Sequence, residues 1–250
     1  MRTYNLSNNI SFPGRNLHFQ SDFQEEREAV VSVLCDGGRI MQKVTYTPEA
    51  GVHLKTVLTE THIKVLAQIK EARKLFSKSD LTVESTALYS IARELIKWNF
   101  LKEAGAVLLK AISLNSGFLK AYPELAGLLI RHKEFDKAER IIDRGLSLSP
   151  GEPLLSEYKS FIAYKKGDFR KAFSCLSQYR TSEKLSSRAR LLCAGSVLGI
   201  IASLPTNHIT AHYKRLLSAV TSLVSSPDLI ISSEFPVEEI KESLSQLNIQ

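Results

Sequence analysis

The sequence has little cysteine and no leader-like apolar run near its start. Its three cysteines, Cys35, Cys175 and Cys193, are far apart, and no CxxC pair occurs in the 250 residues. This set argues against a disulfide framework and a thiolate zinc site, and it is typical of a reducing compartment. The first twenty residues contain no continuous apolar segment of the kind that forms the core of a secretory signal. These absences predict a cytoplasmic protein.

Long apolar runs are also missing. The longest nearly apolar stretch, residues 191–204, has fourteen residues, whereas a helix needs about 20 apolar residues to span the hydrocarbon core of a membrane. We therefore predict a buried helix at this position and no membrane span.

What the sequence does contain is an ordinary globular composition with a basic balance. With 44% hydrophobic and 24% charged residues, the chain can bury a core without disulfides or metals. The net charge of +7 favours acidic partners and slightly raises the possibility of a nucleic-acid partner. No run of five or six like charges occurs, so a basic arm for non-specific binding of phosphate backbones is not predicted.

The usual motifs of catalytic chemistry do not occur. There is no GxxxxGKS or GxxxxGKT phosphate loop and no GxGxxG motif. His208 and His212 have the i, i+4 spacing of a metalloprotease helix, but Ile209 follows His208, so the glutamate base is missing. We interpret these two as surface or cap histidines, and His62, beside the apolar stripe of a predicted helix, as a packed or partly exposed histidine. The sequence predicts a non-enzymatic protein without catalytic residues, metal or cofactor.

Residues 1–80 are predicted to form an amino-terminal unit of a small antiparallel β-meander and a helix. Residues 1–14 are a polar lead-in, and three short segments with alternating apolar and polar residues follow. The sequence Asp36-Gly37-Gly38 suits a tight hairpin turn, because glycine accepts positive φ. From residue 54 to about residue 76, apolar residues fall at helical spacing and would cover the strands. The alternating apolar residues are Leu17 and Phe19, then Val31, Val33 and Cys35, then Ile40, Val44 and Tyr46.

The middle of the chain, residues 82–184, repeats with a period of 34 residues. Small residues recur in each of two predicted helices per period, and a larger apolar residue precedes the second helix. Small side chains at these positions let two antiparallel helices approach closely. The recurring positions are Ala92, Ala126 and Ser160; Ala104, Ala138 and Ala172; and Leu101, Phe135 and Phe169.

This pattern resembles the tetratricopeptide repeat family over about 100 of the 250 residues. The family motif also has a later small residue in the second helix, matched here by Ala111 and Gly145. It closes with a proline, matched by Pro150 but replaced by Ser116 in the first unit. The third unit departs from the motif at Ser156, Ser160 and Tyr179.

The resemblance implies a mainly α fold. Its centre would be a right-handed α-α superhelix of three tetratricopeptide-like hairpins at residues 81–184, preceded by the small amino-terminal antiparallel β-meander and helix. Such arrays cover the bare face of each hairpin with the next one and need about three units. Residues 185–250 are predicted to be C-terminal capping helices, at about 185–204 and 208–225, with a short last helix that begins near Pro236.

In the family, the first helix of each hairpin lines a concave channel that holds a partner. Counting from the crossing residue places aromatic and mainly basic residues in that lining, with five positive charges and one negative charge. The resemblance therefore implies a protein or peptide partner with acidic and apolar residues. The implied partner-binding residues are Tyr89, Arg93 and Lys97; Lys120, Ile130 and Arg131; and Leu154, Glu157, Phe161, Tyr164 and Lys165.

The implied function is a non-catalytic protein-protein interaction adaptor or scaffold that binds a partner segment in this channel. Tyr89, Pro123 and Glu124 occupy positions where relatives that clamp a terminal carboxylate have lysine and asparagine, so that ligand is not predicted. Two alternatives stay open. The residues form an ordinary solvated helix face, or the channel binds RNA, although the base-reading pattern of helical-repeat RNA readers is not visible.

Overall fold

The computed structural model describes residues 5–48, 53–177, 179 and 186–203. The chain divides into two compact units, Met1–Ala121 and Tyr122–Gln250. The first contains the described strands and the first pair of repeat helices, and the second contains the later described helices. This division lies within the repeat array, and the domain boundaries expected near residues 80 and 184 remain a prediction.

Four strands form an antiparallel sheet in the order β1-β2-β3-β4, in which every strand pairs with its neighbour in sequence. The hairpin expected at Asp36-Gly37-Gly38 is confirmed between β3 and β4, with positive φ at Gly37 (55°) and Gly38 (83°). Glycine is needed at both positions because a side chain is strained in this region. The strands are β1 Asn5–Phe12, β2 Arg15–Gln24, β3 Ala29–Asp36 and β4 Arg39–Tyr46.

The first strand corrects a prediction. Residues 1–14 were expected to be a polar lead-in, but β1 pairs with β2 along its whole length. Asparagine and serine are uncommon in strands, which hides the signal. Leu6, Ile10 and Phe12 nevertheless lie on one face of β1, and that face is the less exposed one. Pro13 and Gly14, whose φ is 76°, form the turn into β2.

The helix α1, Leu54–Leu81, supplies the second layer of the amino-terminal fold and extends beyond the predicted end at residue 76. Its buried residues include Val57 and Leu58, which form a core cluster with Val30 of β3. The apolar face of a sheet has to be buried against another layer of secondary structure. The predicted association of strands and helix is therefore confirmed, with one strand more than expected.

Seven further helices follow α1 among the described residues, and two of them form the first helical hairpin in the first compact unit. The mainly α fold with tetratricopeptide-like hairpins and a small amino-terminal antiparallel sheet is confirmed. The helices are α2 Ser85–Lys97, α3 Leu101–Leu114, α4 Ala121–Arg131, α5 Phe135–Leu148, α6 Pro153–Lys165, α7 Phe169–Ser177 and α8 Ser187–Ala202.

The turn inside each hairpin repeats with the same period as the sequence. Asn99, Lys133 and Gly167 are 34 residues apart and have positive φ of 61°, 59° and 77°. In each turn the residue after the left-handed position donates its backbone N–H to a carbonyl five residues earlier, which is a Schellman-type helix end. These bonds run from Phe100 to Leu95, from Glu134 to Leu129 and from Asp168 to Ala163, each 2.9 Å long. The third unit thus has the turn of the first two despite its divergent sequence.

The small residues lie where the motif requires them. Ala92, Ala126, Ala104, Ala138 and Ala172 have no solvent exposure. The divergent Ser160 is equally buried, and its Oγ donates a 2.7 Å hydrogen bond to the carbonyl of Ala172. Since a buried hydroxyl is costly only when it lacks a partner, serine can replace alanine at this crossing.

The helix α8 continues the period into a region where the sequence analysis found no motif. It begins at Ser187, 34 residues after Pro153, and Ala194 takes the fully buried place of Ser160. A β-carbon at Gly195 would lie 2.9 Å from the ring of Tyr164, and one at Gly199 would lie 2.5 Å from the ring of Phe169. α8 is therefore in the register of the first helix of a fourth unit. The helices predicted at residues 208–225 and near Pro236 lie outside the described residues.

Candidate functional site

In the first compact unit, α2 carries three of the predicted partner-binding residues. Tyr89, Arg93 and Lys97 are spaced four residues apart, so they follow one side of the helix. The Tyr89 ring is half-buried and meets the Phe118 ring edge-on at 5.6 Å, whereas Arg93 and Lys97 are exposed. Lys97 Nζ donates a 2.6 Å hydrogen bond to the Glu94 carboxylate. This side of α2 offers two exposed cations beside an aromatic ring.

The predicted residues around α4 differ in exposure. Lys120 precedes α4 and Arg131 is its last residue, and both are exposed. Ile130 is 9% exposed, so it belongs to the core and not to an open lining. The cations are thus accessible at the two ends of α4, while the apolar residue beside Arg131 faces inward.

On α6 the predicted face is partly covered by the chain itself. Glu157 and Phe161 are each only 6% exposed. Arg188 of α8 lies across both of them, with its Nε 3.4 Å from a Glu157 carboxylate oxygen and its guanidinium 5.0 Å from the centre of the Phe161 ring. Ser186 Oγ donates a 2.6 Å hydrogen bond to the other Glu157 oxygen. In this arrangement Glu157 and Phe161 contact α8, and they are not open to a partner.

The rest of the predicted α6 face is more open. Leu154 and Lys165 are exposed, and the Lys165 ammonium lies 5.6 Å from the centre of the Phe161 ring. Tyr164 is partly exposed and meets the Phe169 ring edge-on at 5.5 Å. The α6 face thus combines an exposed leucine and an exposed cation with aromatic residues that are already packed.

The electrostatics of this region depend on Arg188 and Tyr158, which the sequence analysis did not single out. Burial raises the pKa of Tyr158, and the nearby Arg188 guanidinium, 5.5 Å from the ring centre, opposes that rise. Arg131 and Glu124 exert weaker effects on the same pKa. Because Arg188 neutralises Glu157, the remaining exposed charge on the predicted α6 face is the positive charge of Lys165.

Arg15 forms a second buried polar cluster, in the first compact unit. Its guanidinium donates to Asp36 at 2.5 Å and to Glu103 of α3 at 2.6 Å, and it lies 5.7 Å from the centre of the Phe12 ring. The Phe12 ring also stacks on Phe100 with centroids 4.9 Å apart. These contacts join the sheet to the first hairpin, so the cluster is structural. No periodic pattern in the sequence indicates it.

His62 is the centre of a third polar cluster. Its ring nitrogens lie 2.9 Å from Ser21 Oγ and 2.6 Å from Asn8 Oδ1, and Ser21 Oγ is 2.7 Å from Ser32 Oγ. The ring stacks on Phe19, and burial lowers the pKa of His62. Ser21 has no solvent exposure, so a substrate cannot reach it. The interpretation of His62 as a packed histidine is confirmed.

Reactive and metal-binding groups give no further site in the described part of the chain. The three cysteines are free thiols, and burial raises the pKa of Cys175, which makes it a poor nucleophile. Among the described residues no group of three potential metal ligands comes together, and no helix combines the length and apolarity needed to cross a membrane. His208 and His212 lie outside the described residues.

The paired helices, the recurring left-handed turns and the buried small residues define a tetratricopeptide-like helical repeat. No protein-family model matches the sequence, and no curated protein matches it.

Several solved structures are similar to the chain at low identity. YrrB, described as a TPR protein with an unusual peptide-binding site, is 17% identical with a TM-score of 0.48, and the match covers 59% of this chain and 74% of YrrB. MamA is 13% identical with a TM-score of 0.49, over 76% of this chain and 90% of MamA. The Yersinia enterocolitica type III secretion chaperone SycD, in complex with a peptide of the translocator YopD, is 17% identical with a TM-score of 0.36, over 62% and 90%.

Proposed function

We propose that this chain is a non-catalytic protein-interaction adaptor that binds an acidic partner segment through the first helices of its hairpins. The carrying observation is a recurring cation. Lys97, Arg131 and Lys165 are the last residues of α2, α4 and α6, they are 34 residues apart, and all three are exposed. A helix C-terminus favours a cation in any protein, and here each of the three cations is also open to solvent.

The cations are available to a partner because their present contacts are weak. Lys97 pairs with Glu94, and the two side chains are 62% and 41% exposed. A solvated pair of this kind contributes at most about 1 kcal/mol, so a carboxylate of a partner can replace Glu94 at little cost. The Lys165 ammonium lies 5.6 Å from the centre of the Phe161 ring, and the Lys165 side chain is exposed to solvent.

Apolar contacts would supply the remaining specificity. Leu154 is 40% exposed at the start of α6, and Tyr89 of α2 is partly exposed. Anchoring by a few apolar or aromatic residues with charged residues around them is common at protein interfaces. The partner that fits is therefore a segment with acidic residues and at least one apolar side chain. Since Arg188 covers Glu157 and Phe161, these two residues would contribute only if α8 moved.

A capture experiment followed by a binding measurement tests the proposal. Tagged protein is used to isolate partners after nuclease treatment, and the recovered protein is then purified and titrated calorimetrically. The test variant combines Lys97→Gln, Arg131→Gln and Lys165→Gln. The matched control removes three exposed cations from second helices, with Arg140→Gln, Arg144→Gln and Arg170→Gln.

We expect the test variant to bind at least about tenfold more weakly, since three solvated charge contacts of roughly 0.5 kcal/mol each amount to about that factor. The control should stay within about twofold. Equal losses in both variants, or recovery of a partner only when the nuclease is left out, would rule out the proposed site.

A further inference from the structure

The outer edge of the amino-terminal sheet is open along β1. The sheet has two edges, β1 and β4, because the strand order follows the sequence. An edge strand presents a row of backbone N–H and C=O groups that have no partner within the sheet. Among the described residues, no backbone hydrogen bond reaches β1 other than those of its pairing with β2. The outward side of β1 can therefore accept another strand.

Four residues of β1 direct their backbone groups away from the sheet. Phe12 and Arg15 flank the two-residue turn at Pro13 and Gly14, so they form a hydrogen-bonded pair with each other. Hydrogen-bonded and non-hydrogen-bonded pairs alternate along an antiparallel ladder, so the N–H and C=O groups of every second residue point outward. The outward residues are Asn5, Ser7, Asn9 and Ser11.

The other edge, β4, is protected against pairing. Its register with β3 shifts near Cys35, which leaves Met41 as an extra residue. The side chain of Asn99 donates a hydrogen bond to the Met41 carbonyl, and Arg39 and Lys43 are exposed on the same strand. A bulge, charged side chains and covered backbone groups are the devices by which edge strands avoid pairing with another chain.

The strand β1 has none of these protections. Its eight residues include no charged residue and no proline, and its pairing with β2 has no register shift. On the face towards α1, Leu6 and Ile10 are only half-buried, although Leu6 packs against the core cluster that includes Val30 and Val57. The edge thus combines open backbone groups with two apolar side chains that can bury more of their surface.

We propose that β1 pairs with β1 of a second copy of this chain, antiparallel and about a two-fold axis. In the register that uses the whole strand, Asn5 lies opposite Ser11 of the second copy, and Ser7 lies opposite Asn9 of the second copy. All four outward residues of each strand then belong to hydrogen-bonded pairs, and each pair makes two backbone hydrogen bonds. The two sheets become one continuous sheet.

The side chains of β1 favour its own copy as the occupant. The same register places Leu6 opposite Ile10 of the second copy, and Ile10 opposite Leu6 of the second copy, so each half-buried residue gains an apolar neighbour. A charged strand would meet like charges on its copy, whereas β1 is uncharged. An acidic segment, the kind of partner proposed for the adaptor site, would find no cation on β1.

The protection of β4 determines how large the assembly becomes. If β1 of one copy paired with β4 of the next, the contact would be head-to-tail and could continue as a filament. Because β4 is blocked by its bulge and by Asn99, the pairing of β1 with β1 is an isologous contact that closes after two chains. We therefore expect a dimer. The proposal is independent of the adaptor site, which uses the repeat helices.

Sedimentation equilibrium of the full chain from about 1 to about 500 μM tests the proposal. The wild-type protein should change from one chain to two as its concentration rises. Over the same range, hydrogen exchange at the outward N–H groups of Ser7 and Asn9 should slow, because pairing gives these groups acceptors. The variant with Lys97→Gln, Arg131→Gln and Lys165→Gln should dimerise as wild type does, which separates this surface from the adaptor site.

A charge swap tests the register. Ser7 faces Asn9 of the second copy twice in the dimer, so a variant with Ser7→Lys and Asn9→Lys places two pairs of like charges across the interface. It should dimerise at least about tenfold more weakly than wild type, and a variant with Ser7→Glu and Asn9→Glu should do the same. An equal mixture of the two variants should form a heterodimer at least about tenfold tighter than either variant alone, since each lysine then faces a glutamate.

The matched control adds two lysines to β2 on the same face of the sheet, with Asn16→Lys and His18→Lys. Both positions are exposed, and they lie one strand away from the edge. The dimerisation constant of the control should stay within about threefold of the wild-type value. Urea unfolding should show that the charged variants and the control are folded.

The proposal is overturned if the wild-type protein remains a single chain up to the highest concentration. Equal weakening in the lysine variant and its control would overturn it as well, and so would a mixture of the lysine and glutamate variants that associates no more tightly than its components. A dimer in which hydrogen exchange at Ser7 and Asn9 does not slow would have its interface elsewhere, which would also overturn the proposal.

Discussion

Glu157 of α6 and Arg188 of α8 form an ion pair that holds α8 against α6. The carboxylate is also held by the hydroxyl of Ser186, the residue that caps α8 by accepting from the Ala189 N–H at 3.0 Å. One acidic side chain therefore links the start of α8 to the neighbouring helix. It also explains why the third unit shows less of its predicted partner-binding face than the sequence suggests.

Arg188→Ala should destabilise the second compact unit. The change leaves the buried Glu157 carboxylate without its cation, and breaking a fully buried pair costs about 3–5 kcal/mol. The Arg188 side chain is 25% exposed, so we expect a smaller loss of about 2 kcal/mol in the free energy of unfolding measured with urea. Adding Glu157→Gln should restore part of it, because the buried charge is then removed. If the losses in unfolding free energy from Arg188→Ala and Glu157→Gln simply add in the double variant, the two side chains do not form a specific pair.

Lys133→Gly should stabilise the protein. Lys133 has a φ of 59°, a left-handed conformation that costs a residue with a side chain about 1 kcal/mol and costs glycine almost nothing. Gly167 already occupies the equivalent turn. We expect about 0.5–1 kcal/mol of added unfolding free energy. Lys137→Gly, within α5, is the matched control and should lose about 1 kcal/mol. Destabilisation by both changes would show that the turn is not strained.

The sequence predicted those parts of the fold whose contacts recur at a fixed spacing along the chain. Small crossing residues such as Ala104 and Ala138 recur every 34 residues, because each hairpin has the same close approach. α8 shares the period through Ala194, but Gly199 stands where the three earlier units have Lys97, Arg131 and Lys165, and the pattern was missed. β1 was missed because its polar residues disfavour strands.

Contacts between distant elements were less predictable still. Arg15 and Glu103 are 88 residues apart in sequence, and nothing in either local pattern indicates that they meet. The same holds for the covering of Phe161 by Arg188, which changes the exposure of the candidate site. Counting along a motif places a residue on a helix face, but its exposure depends on what packs next to it.

Gly145→Ala should be destabilising although alanine is the better helix former. A β-carbon at this position would lie 2.5 Å from a methyl carbon of Leu155 and 3.1 Å from the β-carbon of Tyr122. Helix propensity favours alanine by about 1 kcal/mol, whereas overpacking a core costs about 1–3 kcal/mol. Since Leu155 and Tyr122 are fully buried, we expect a net loss of about 1–2 kcal/mol in urea unfolding.

The control is Gly127→Ala in α4, whose added β-carbon would meet only the hydroxyl end of Tyr158, at 3.1 Å. That side chain can shift, so the control should be neutral or slightly stabilising. If Gly145→Ala has no effect on stability, α5 can move away from Leu155 of α6 and Tyr122 of α4 without a loss in unfolding free energy.

Because of Glu139, the free energy of unfolding should decrease as the pH falls below 4.5. Hydrogen bonds from Lys171 and Lys166 lower the pKa of Glu139 to about 2. A lowered carboxylate pKa adds stability that is present above the unfolded-state pKa of 4.5 and is lost as the pH falls towards 2. Glu139→Gln should remove this part of the acid dependence in urea unfolding between pH 5 and 2. Asp143→Asn, in the same helix as Glu139, breaks the pair with Lys159 of α6 and is the comparison. An identical change in both variants would contradict a special role for Glu139.

Because of His62, the free energy of unfolding should decrease on mild acidification. Burial lowers its pKa below the usual 6.5, so the unfolded chain binds the proton more readily than the folded one. Stability should then be complete above about pH 7 and fall as the pH drops below 6.5. His62→Gln should lower stability at pH 7.5, since the polar cluster loses a ring, but it should flatten the decline between pH 7 and 5. The exposed His53, at the start of the same helix, is the control, because His53→Gln should leave the decline unchanged in urea unfolding. A decline that persists unaltered in His62→Gln would assign the pH dependence to another group.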